Sequence, residues 1–375
     1  RISLPVPPDQ SDTINEDKIL NLAFHIGMVE LISYWKAACP PEVIIRPFKL
    51  EDQQVEWWKK LWYFGLGEFF YSNGIEISRD DFMMVTSTGE NPPAAFHFET
   101  DDRVLVPVGG GKDSVVTLEL IRRAGIEAVP FILNPREASL RTAEQTGYAE
   151  ADIYQMKRTI DPELLRLNDL DYLNGHTPFS ALLASRVNAI GHIGLSNESS
   201  ANEPTIPGTH INHQYSKTLD FEQDFRKYVQ QYISHDFNYF SFLRPLNELR
   251  IAGLFSGFPH HFSTFRSCNA GSKTGAWCGK CPKCLFTRII LGPFLGSEKL
   301  GMIFGSELLD DMHLLGTFKE LTGIAAEKPF ECVGTLEEVN AAVQEIIKSY
   351  DGKELPALLK YYAANKTVTG ASFKT

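Results

Sequence analysis

The chain has 375 residues, 43% of them hydrophobic and 22% charged, with a formal net charge of −11. That length suits two or three domains built on sizeable cores. The acidic balance, with no local basic strip to offset it, speaks against an extended nucleic-acid partner. No apolar run reaches the roughly 18 residues of a membrane span, and Arg1 to Pro8 lack the charged-then-apolar order of a signal peptide. The six cysteines are too few and too clustered for a secreted disulfide scaffold, so the expectation is a cytoplasmic protein with no membrane partner.

Residues 1–100 read as a mainly helical N-terminal region. Ile19, Leu22, Ala23 and Ile26 recur at helical spacing, and Val55, Trp58, Trp62, Leu66, Phe69 and Phe70 repeat the pattern, so both stripes should pack into a core. From 101 to 250 strands and helices alternate. Val104, Leu105, Val106 and Val108 suit a strand buried on both faces. Gly109, Gly110 and Gly111 follow, and Asp113 opens a helix that runs to Ala124 and stops at Gly125. Ala128 to Leu133 is the next strand, ended by Asn134-Pro135. His176 starts a helix through Val187, and the strand Ala189 to Leu195 delivers a polar loop, Ser196 to Asn202. The fold class is therefore α/β, a doubly wound and mostly parallel sheet. In such sheets ligands lie beyond the carboxyl ends of the strands, so the loops at 109–114, 134–137 and 196–202 should converge.

Three consecutive glycines between a strand and a helix remove every side chain from the turn. Backbone N–H groups there can approach an anion closely, beside a helix N-terminus whose dipole favours negative charge. Gly109, Gly110, Gly111, Lys112, Asp113 and Ser114 are thus the expected phosphate seat, with Asn134, Ser196 and Asn197 as the remaining nucleotide contacts. The spacing fits neither a P-loop nor a dinucleotide fingerprint.

The third region, 251–375, carries Cys268, Cys278, Cys281 and Cys284 in a Cys-x9-Cys-Gly-Lys-Cys-Pro-Lys-Cys run. Four thiolates at about 2.3 Å satisfy tetrahedral Zn²⁺ and leave no open position, so the expected zinc is structural; an Fe–S cluster and a redox thiol are the other readings. Lys280 and Lys283 would offset the charge of a zinc tetrathiolate. Cys39 and Cys332 read as small buried hydrophobes, although the loop around Cys332 also suits a mobile thiol. Further on, Thr335 and Glu338 form a capping box before the apolar face Val339, Ala342, Val343, Ile346, Ile347 and Tyr350. The polar tail after Asn365 is expected to fray. Between sheet and cysteines, His210, His213 and Lys217 fall within eight residues and read as a site-forming segment.

The Gly109–Ser114 loop resembles the SGGxDS signature of the PP-loop ATP pyrophosphatase superfamily, with Gly109 where that family usually has Ser. Longer stretches narrow the resemblance. Phe24–Trp35, Gly65–Tyr71, Val106–Ser114, Ser196–Asn202, Asn212–Lys217 and Cys278–Cys284 together are similar to the MurL-type epimerases of peptidoglycan precursor synthesis, over most of the chain. This resemblance implies a PP-loop, HUP-like fold that uses ATP and Mg²⁺ and releases AMP and pyrophosphate. Asp113 would help place Mg²⁺, and the Lys112 ammonium would partly replace the missing Ser hydroxyl. The implied substrate is a UDP-sugar dipeptide whose terminal L-Glu is inverted to D-Glu through an acyl-adenylate. His210, His213 and Lys217 are the candidate proton-transfer groups. Arg244, Arg250 and Arg266 are candidate anchors for the diphosphate or the carboxylates, with ion pairs as the plainer reading. Two other functions share the loop: a PP-loop adenylating ligase of the cyanodeazaguanine synthase or tRNA-modifying kind, and an ATP sensor without turnover.

Overall fold

Apolar alternation within one strand decides how the layers form. The computed structural model describes residues 1–5, 15–167, 176–206, 208–268, 270–271 and 274–365. Its strands are β1 (Ile2–Ser3), β2 (Glu42–Ile45), β3 (Met84–Ser87), β4 (Asp101–Pro107), β5 (Ala128–Leu133), β6 (Tyr154–Arg158), β7 (Ile190–Leu195) and β8 (Asn238–Ser241). In β4, Val104 and Val106 point to one face with Val108 beyond them, against Leu118 and Ile121 of the helix Lys112–Arg123. Leu105 points to the other face, into a core shared with Trp58, Trp62, Phe179 and Ile193. Both faces of the strand are therefore covered, as a near-continuous apolar run requires.

The main sheet has the order β1-β6-β5-β4-β7-β8, parallel throughout except for β1, which runs antiparallel on β6. Leu105 pairs with Val129 on one side and Ile193 on the other. After β4 the chain builds outward through β5 and β6, then crosses back to lay β7 and β8 on the opposite side. The strand order reverses at β4 and β7, which is where a doubly wound sheet opens a crevice at its carboxyl edge.

The N-terminal region covers one face with the helices Glu16–Trp35 and Asp52–Gly65. Trp58 and Trp62 are buried, and Trp57 stacks on Tyr228 at 4.1 Å, so the tryptophan row is core. This region also holds the parallel pair β2–β3; each strand is only four residues long, too short for alternation to announce it. A second core joins Val115 and Val116 to the helices Glu248–Ser256, Pro282–Leu291 and Leu336–Ser349. The last of these carries the Thr335/Glu338 capping box. Glu338 does more than cap it, because its carboxylate also accepts from Ser200 Oγ at 2.9 Å and from the Glu248 N–H at 2.6 Å. The helix at His176–Val187 begins where the sequence placed it.

Cys39 is a correction. It is exposed, at φ 45°, in the turn that ends the first helix, where its N–H bonds to the Trp35 carbonyl; a turn position on the surface overrides the burial preference of a free thiol. The tail beyond Asn365 lies outside the described residues. Among those residues, no helix is long and apolar enough to cross a membrane.

Candidate functional site

The glycine loop leaves β4 at Val108 and enters the helix Lys112–Arg123 with Gly111 as its N-cap. Gly110 sits at φ +85°, and a Cβ there would lie 2.7 Å from the backbone of Ala138 and Ser139, so no other residue fits. A Cβ on Gly111 would lie 2.9 Å from Ser267 Oγ, whereas the space around Gly109 is open. Ser114 braces the turn: its Oγ accepts from the Gly110 N–H at 3.2 Å and donates to the Gly111 carbonyl at 2.9 Å. Beyond the loop lies a cavity of about 320 Å³, walled by Gly109, Gly111, Asp113 and Ser114 on one side and Ser196, Asn197, Glu198 and Lys217 on the other. Two of the three expected loops thus converge. Ser196 Oγ, buried in this wall, has no hydrogen-bond partner among the described residues.

Three ionisable side chains line this cavity, the carboxyl groups of Asp113 and Glu198 and the amine of Lys217. The Asp113 side chain is 32% exposed. Glu198 is buried; burial raises its pKa, the Lys217 ammonium opposes the rise, and the Asp113 carboxylate adds to it. Lys112 is not in the wall. Its side chain is 4% exposed, and its ammonium is turned inward to the Glu248 carboxylate and to Asp113 Oδ1 at 2.6 Å. Burial works against that ammonium, yet the two carboxylates hold it charged.

A second cavity of about 310 Å³ adjoins the first and shares Leu195, Asn197 and Lys217 with it. Its other lining residues include His213, Gln214, Tyr239, Lys283 and Cys332. Asn197 is aimed by a bond from its Nδ2 to Ser241 Oγ at 3.1 Å. Three polar atoms here, His213 Nε2, Gln214 Oε1 and the Tyr239 hydroxyl, are buried without a partner among the described residues. Burial and the Lys217 ammonium push the His213 imidazole down to about 4, while its Nδ1 lies 2.6 Å from Thr205 Oγ1. Burial opposes the Lys217 charge as well, but Cys332, Glu198 and Asp113 keep it protonated. Arg244 braces this region, donating to the backbone carbonyls of Glu198 at 2.8 Å and Lys217 at 2.7 Å.

The four clustered cysteines bring their sulfurs within 4.8 Å of one another. Cys281 Sγ is 3.6 Å from Cys268 Sγ and 3.5 Å from Cys284 Sγ, and Cys278 and Cys284 are 3.7 Å apart. Sulfurs at the corners of a tetrahedron about 2.3 Å from its centre would stand about 3.8 Å apart, so this donor set fits a zinc ion. Hydrogen bonds from the neighbouring thiols pull Cys281 down to about 5, the response expected where sulfurs crowd and one must carry charge.

Residues 1–242 match the family model described as the MurL N-terminal domain, and residues 264–372 match the MurL C-terminal domain. The chain belongs to the MurL epimerase family. Relatives named UDP-N-acetyl-alpha-D-muramoyl-L-alanyl-L-glutamate epimerase include those of Micromonospora sp., 34% identical over 95% of this chain and 81% of the relative, and Xanthomonas oryzae pv. oryzae, 33% identical over 94% and 80%. The Salinispora tropica enzyme of the same name is 34% identical over 95% and 80%.

Several residues singled out from this MurL-type sequence lie elsewhere. His210 is exposed, stacked on Tyr63 with ring centroids 5.7 Å apart, and lines neither cavity. Asn134 takes φ 53° and uses its Oδ1 to accept from the Arg158 N–H at 2.8 Å, so it finishes a turn. Arg266 bonds to the Gly275 and Phe265 carbonyls, and Arg250 is exposed on its helix. Conversely, Glu198, Gln214, Tyr239, Lys283 and Cys332 line the cavities without having been named as site residues. Glu198 had a signal in its place in the polar loop after a strand, Gln214 in lying between His213 and Lys217, and Cys332 in a loop suited to a mobile thiol; Tyr239 and Lys283 had none that pointed to a cavity.

Proposed function

We propose that this protein inverts the terminal L-glutamyl residue of UDP-N-acetylmuramoyl-L-alanyl-L-glutamate to the D form, with ATP as co-substrate, on a PP-loop, HUP-like fold. The observation that carries this reading is a pair of adjoining cavities that share Lys217 and Asn197 at the carboxyl edge of the sheet. Membership in a family whose relatives are named for that substrate supplies its identity. The three regions then divide the labour: 1–100 as a helical cover, 101–250 as the ATP-binding domain and 251–375 as the cysteine-bearing segment, in the cytoplasm.

In this reading the amides of Gly109 to Gly111 and the N-terminus of the following helix receive the phosphates. Asp113 and Glu198, whose charges repel each other in one cavity, suit a Mg²⁺ ion, which would neutralise negative charge on the phosphates. Lys217, in the shared wall, holds the glutamate α-carboxylate for attack on the α-phosphorus, so pyrophosphate leaves from the first cavity. The physical need for ATP is clear. A carboxylate resists loss of its α-proton because the enolate would carry two negative charges, whereas the acyl-adenylate lets the new charge spread into a neutral acyl group. Proton removal from one face and delivery to the other, followed by hydrolysis, gives the D product and AMP. His213 and Lys217 are the notable proton-transfer nitrogens of the second cavity. Zinc on the four cysteines is structural, with no position left for a reacting water.

Incubation with ATP, Mg²⁺ and the UDP-sugar dipeptide tests the reading. AMP and a D-glutamyl product in equal amounts are expected, and Asp113→Asn, which keeps an oxygen to accept from the buried Lys112 ammonium, should abolish both with little change in Tm. No AMP from the wild type would overturn the reading, and AMP with a different acceptor would favour a ligase.

A further inference from the structure

Cys332 is not one of the clustered sulfurs, yet its surroundings are not those of a structural thiol. It lines the second cavity in company with Lys217, Lys283 and His213. The Lys217 ammonium donates a hydrogen bond to its sulfur, and Lys283 stands beside it with its own partner Glu331 at 3.3 Å. The same cavity contains the fully buried Tyr239, whose hydroxyl has no partner among the described residues, and the buried Gln214, whose Oε1 has none either. Buried polar groups left unpaired are costly unless something supplies the missing bonds. A polar ligand fits that description, and two ammonium groups in the wall favour an anionic one.

Of the groups of this cavity able to move a proton, Lys217, His213 and Cys332 differ in what they can do at neutral pH. Lys217 is held as an ammonium and has no lone pair to offer. His213 has a lone pair, but at about 4 it is a weak base. Cys332 is different. Burial opposes its ionisation, but the ammoniums of Lys217 and Lys283 and the bond from Lys217 outweigh burial and the repulsion of Glu331, holding the thiol below its usual value. A larger thiolate fraction near the working pH is what a general base requires.

We infer that Cys332 is the base that takes the Cα proton from the glutamyl residue held in the second cavity, an assignment that rests on the function proposed above. The Cα–H bond breaks and an S–H bond forms, while the electron pair passes into the acyl group of the adenylate. A proton from the His213 imidazole, which lines the same cavity, completes inversion on the other face. The thiol then releases its proton to water in the cavity, and the nitrogen recovers one from water. The Lys217 bond that holds the sulfur charged also aims it, so base and carboxylate holder are built as one unit.

The test separates adenylation from proton transfer. In D₂O, the wild type with ATP, Mg²⁺ and the UDP-sugar dipeptide should release AMP and place deuterium on Cα, read by mass spectrometry. Cys332→Ser should still form AMP but lose deuterium incorporation by at least about a hundred-fold, in keeping with loss of a general base. Deuterium incorporation at the wild-type rate in this variant would overturn the inference. Should the variant not fold, alkylation of the native wild type replaces it. Iodoacetamide should modify the peptide bearing Cys332, and the UDP-sugar dipeptide should protect it; a thiol that is inert, or equally reactive with substrate present, would overturn the assignment. Failure of the underlying function looks different, since the wild type itself would then form no AMP.

Discussion

The backbone N–H of Arg266 donates to the Gly110 carbonyl at 2.8 Å, so the peptide leading into the cysteine cluster is tied to the middle of the glycine loop. Ser267 follows at once and closes on Gly111, and Cys268 comes next. A metal held by the four sulfurs would therefore set the shape of the glycine loop, although no sulfur reaches it. Cys281→Ser is expected to lose zinc, measured by elemental analysis, and to lower Tm by on the order of 5–10 °C. The same protein should bind an ATP analogue more weakly by calorimetry. Zinc loss with unchanged nucleotide affinity would show that the tie carries no constraint.

Adjacent glycines should respond in opposite ways. Gly110→Ala forces a Cβ to within 2.7 Å of the Ala138–Ser139 backbone at a positive φ, and should cost on the order of 1–3 kcal/mol or more. Gly109→Ser meets nothing within 4 Å and should leave Tm unchanged. Thermal unfolding of the two variants side by side reads the contrast, and a stable Gly110→Ala protein would refute the packing argument.

Lys112 has a testable signature because its ammonium faces Glu248 inside the protein. Removing one partner of a buried pair leaves an uncompensated charge, so Lys112→Met should destabilise the fold by about 3–5 kcal/mol. Adding Glu248→Leu should recover most of that loss. A lysine whose sole work was to touch phosphate would lose nucleotide affinity in the first variant with Tm intact, and denaturant titration together with calorimetry distinguishes the two.

Stability should fall with acid through a buried histidine. His25 Nδ1 lies 2.8 Å from the Asn21 carbonyl, its Nε2 lies 3.1 Å from the Tyr228 hydroxyl, and Trp58 donates to that hydroxyl at 2.9 Å. Neutral imidazole satisfies this chain. Burial lowers its pKa from 6.5 to about 4 despite the bond to Asn21. The unfolded chain therefore takes up this proton near pH 6.5 and the folded one only near 4, so stability is full above that window and declines as pH drops through it. The decline attributable to His25 is at most about 3 kcal/mol. His25→Gln should flatten the Tm profile between pH 6.5 and 4, with a residual slope from His213 and His261, which shift the same way. An unaltered slope would exclude His25 as its source.

What could be read in advance was local. An apolar run into three glycines, two overlapping CxxC turns and a capping box each specify their geometry within about ten residues, and the switch-point rule carried the loop after β7 to the loop after β4. Contacts made across long separations left no such trace. Lys112 turns inward because of Glu248, 136 residues later, and nothing around position 112 signals it. His210 and His213 sit in one irregular loop, where no period decides which side chain faces a cavity. Cys332 becomes a member of the site only because the chain returns its loop to Lys217, and a single thiol between Glu331 and Val333 has no spacing to be recognised by.

Since Lys217 belongs to the walls of both cavities, whatever occupies one compartment alters the field felt in the other. An anion arriving on either side draws on the same positive charge, while a cation beside Asp113 and Glu198 frees that charge for the opposite side. In the proposed function, nucleotide and dipeptide are thus linked equilibria, and the factor by which the first changes the affinity of the second has to equal its reciprocal effect.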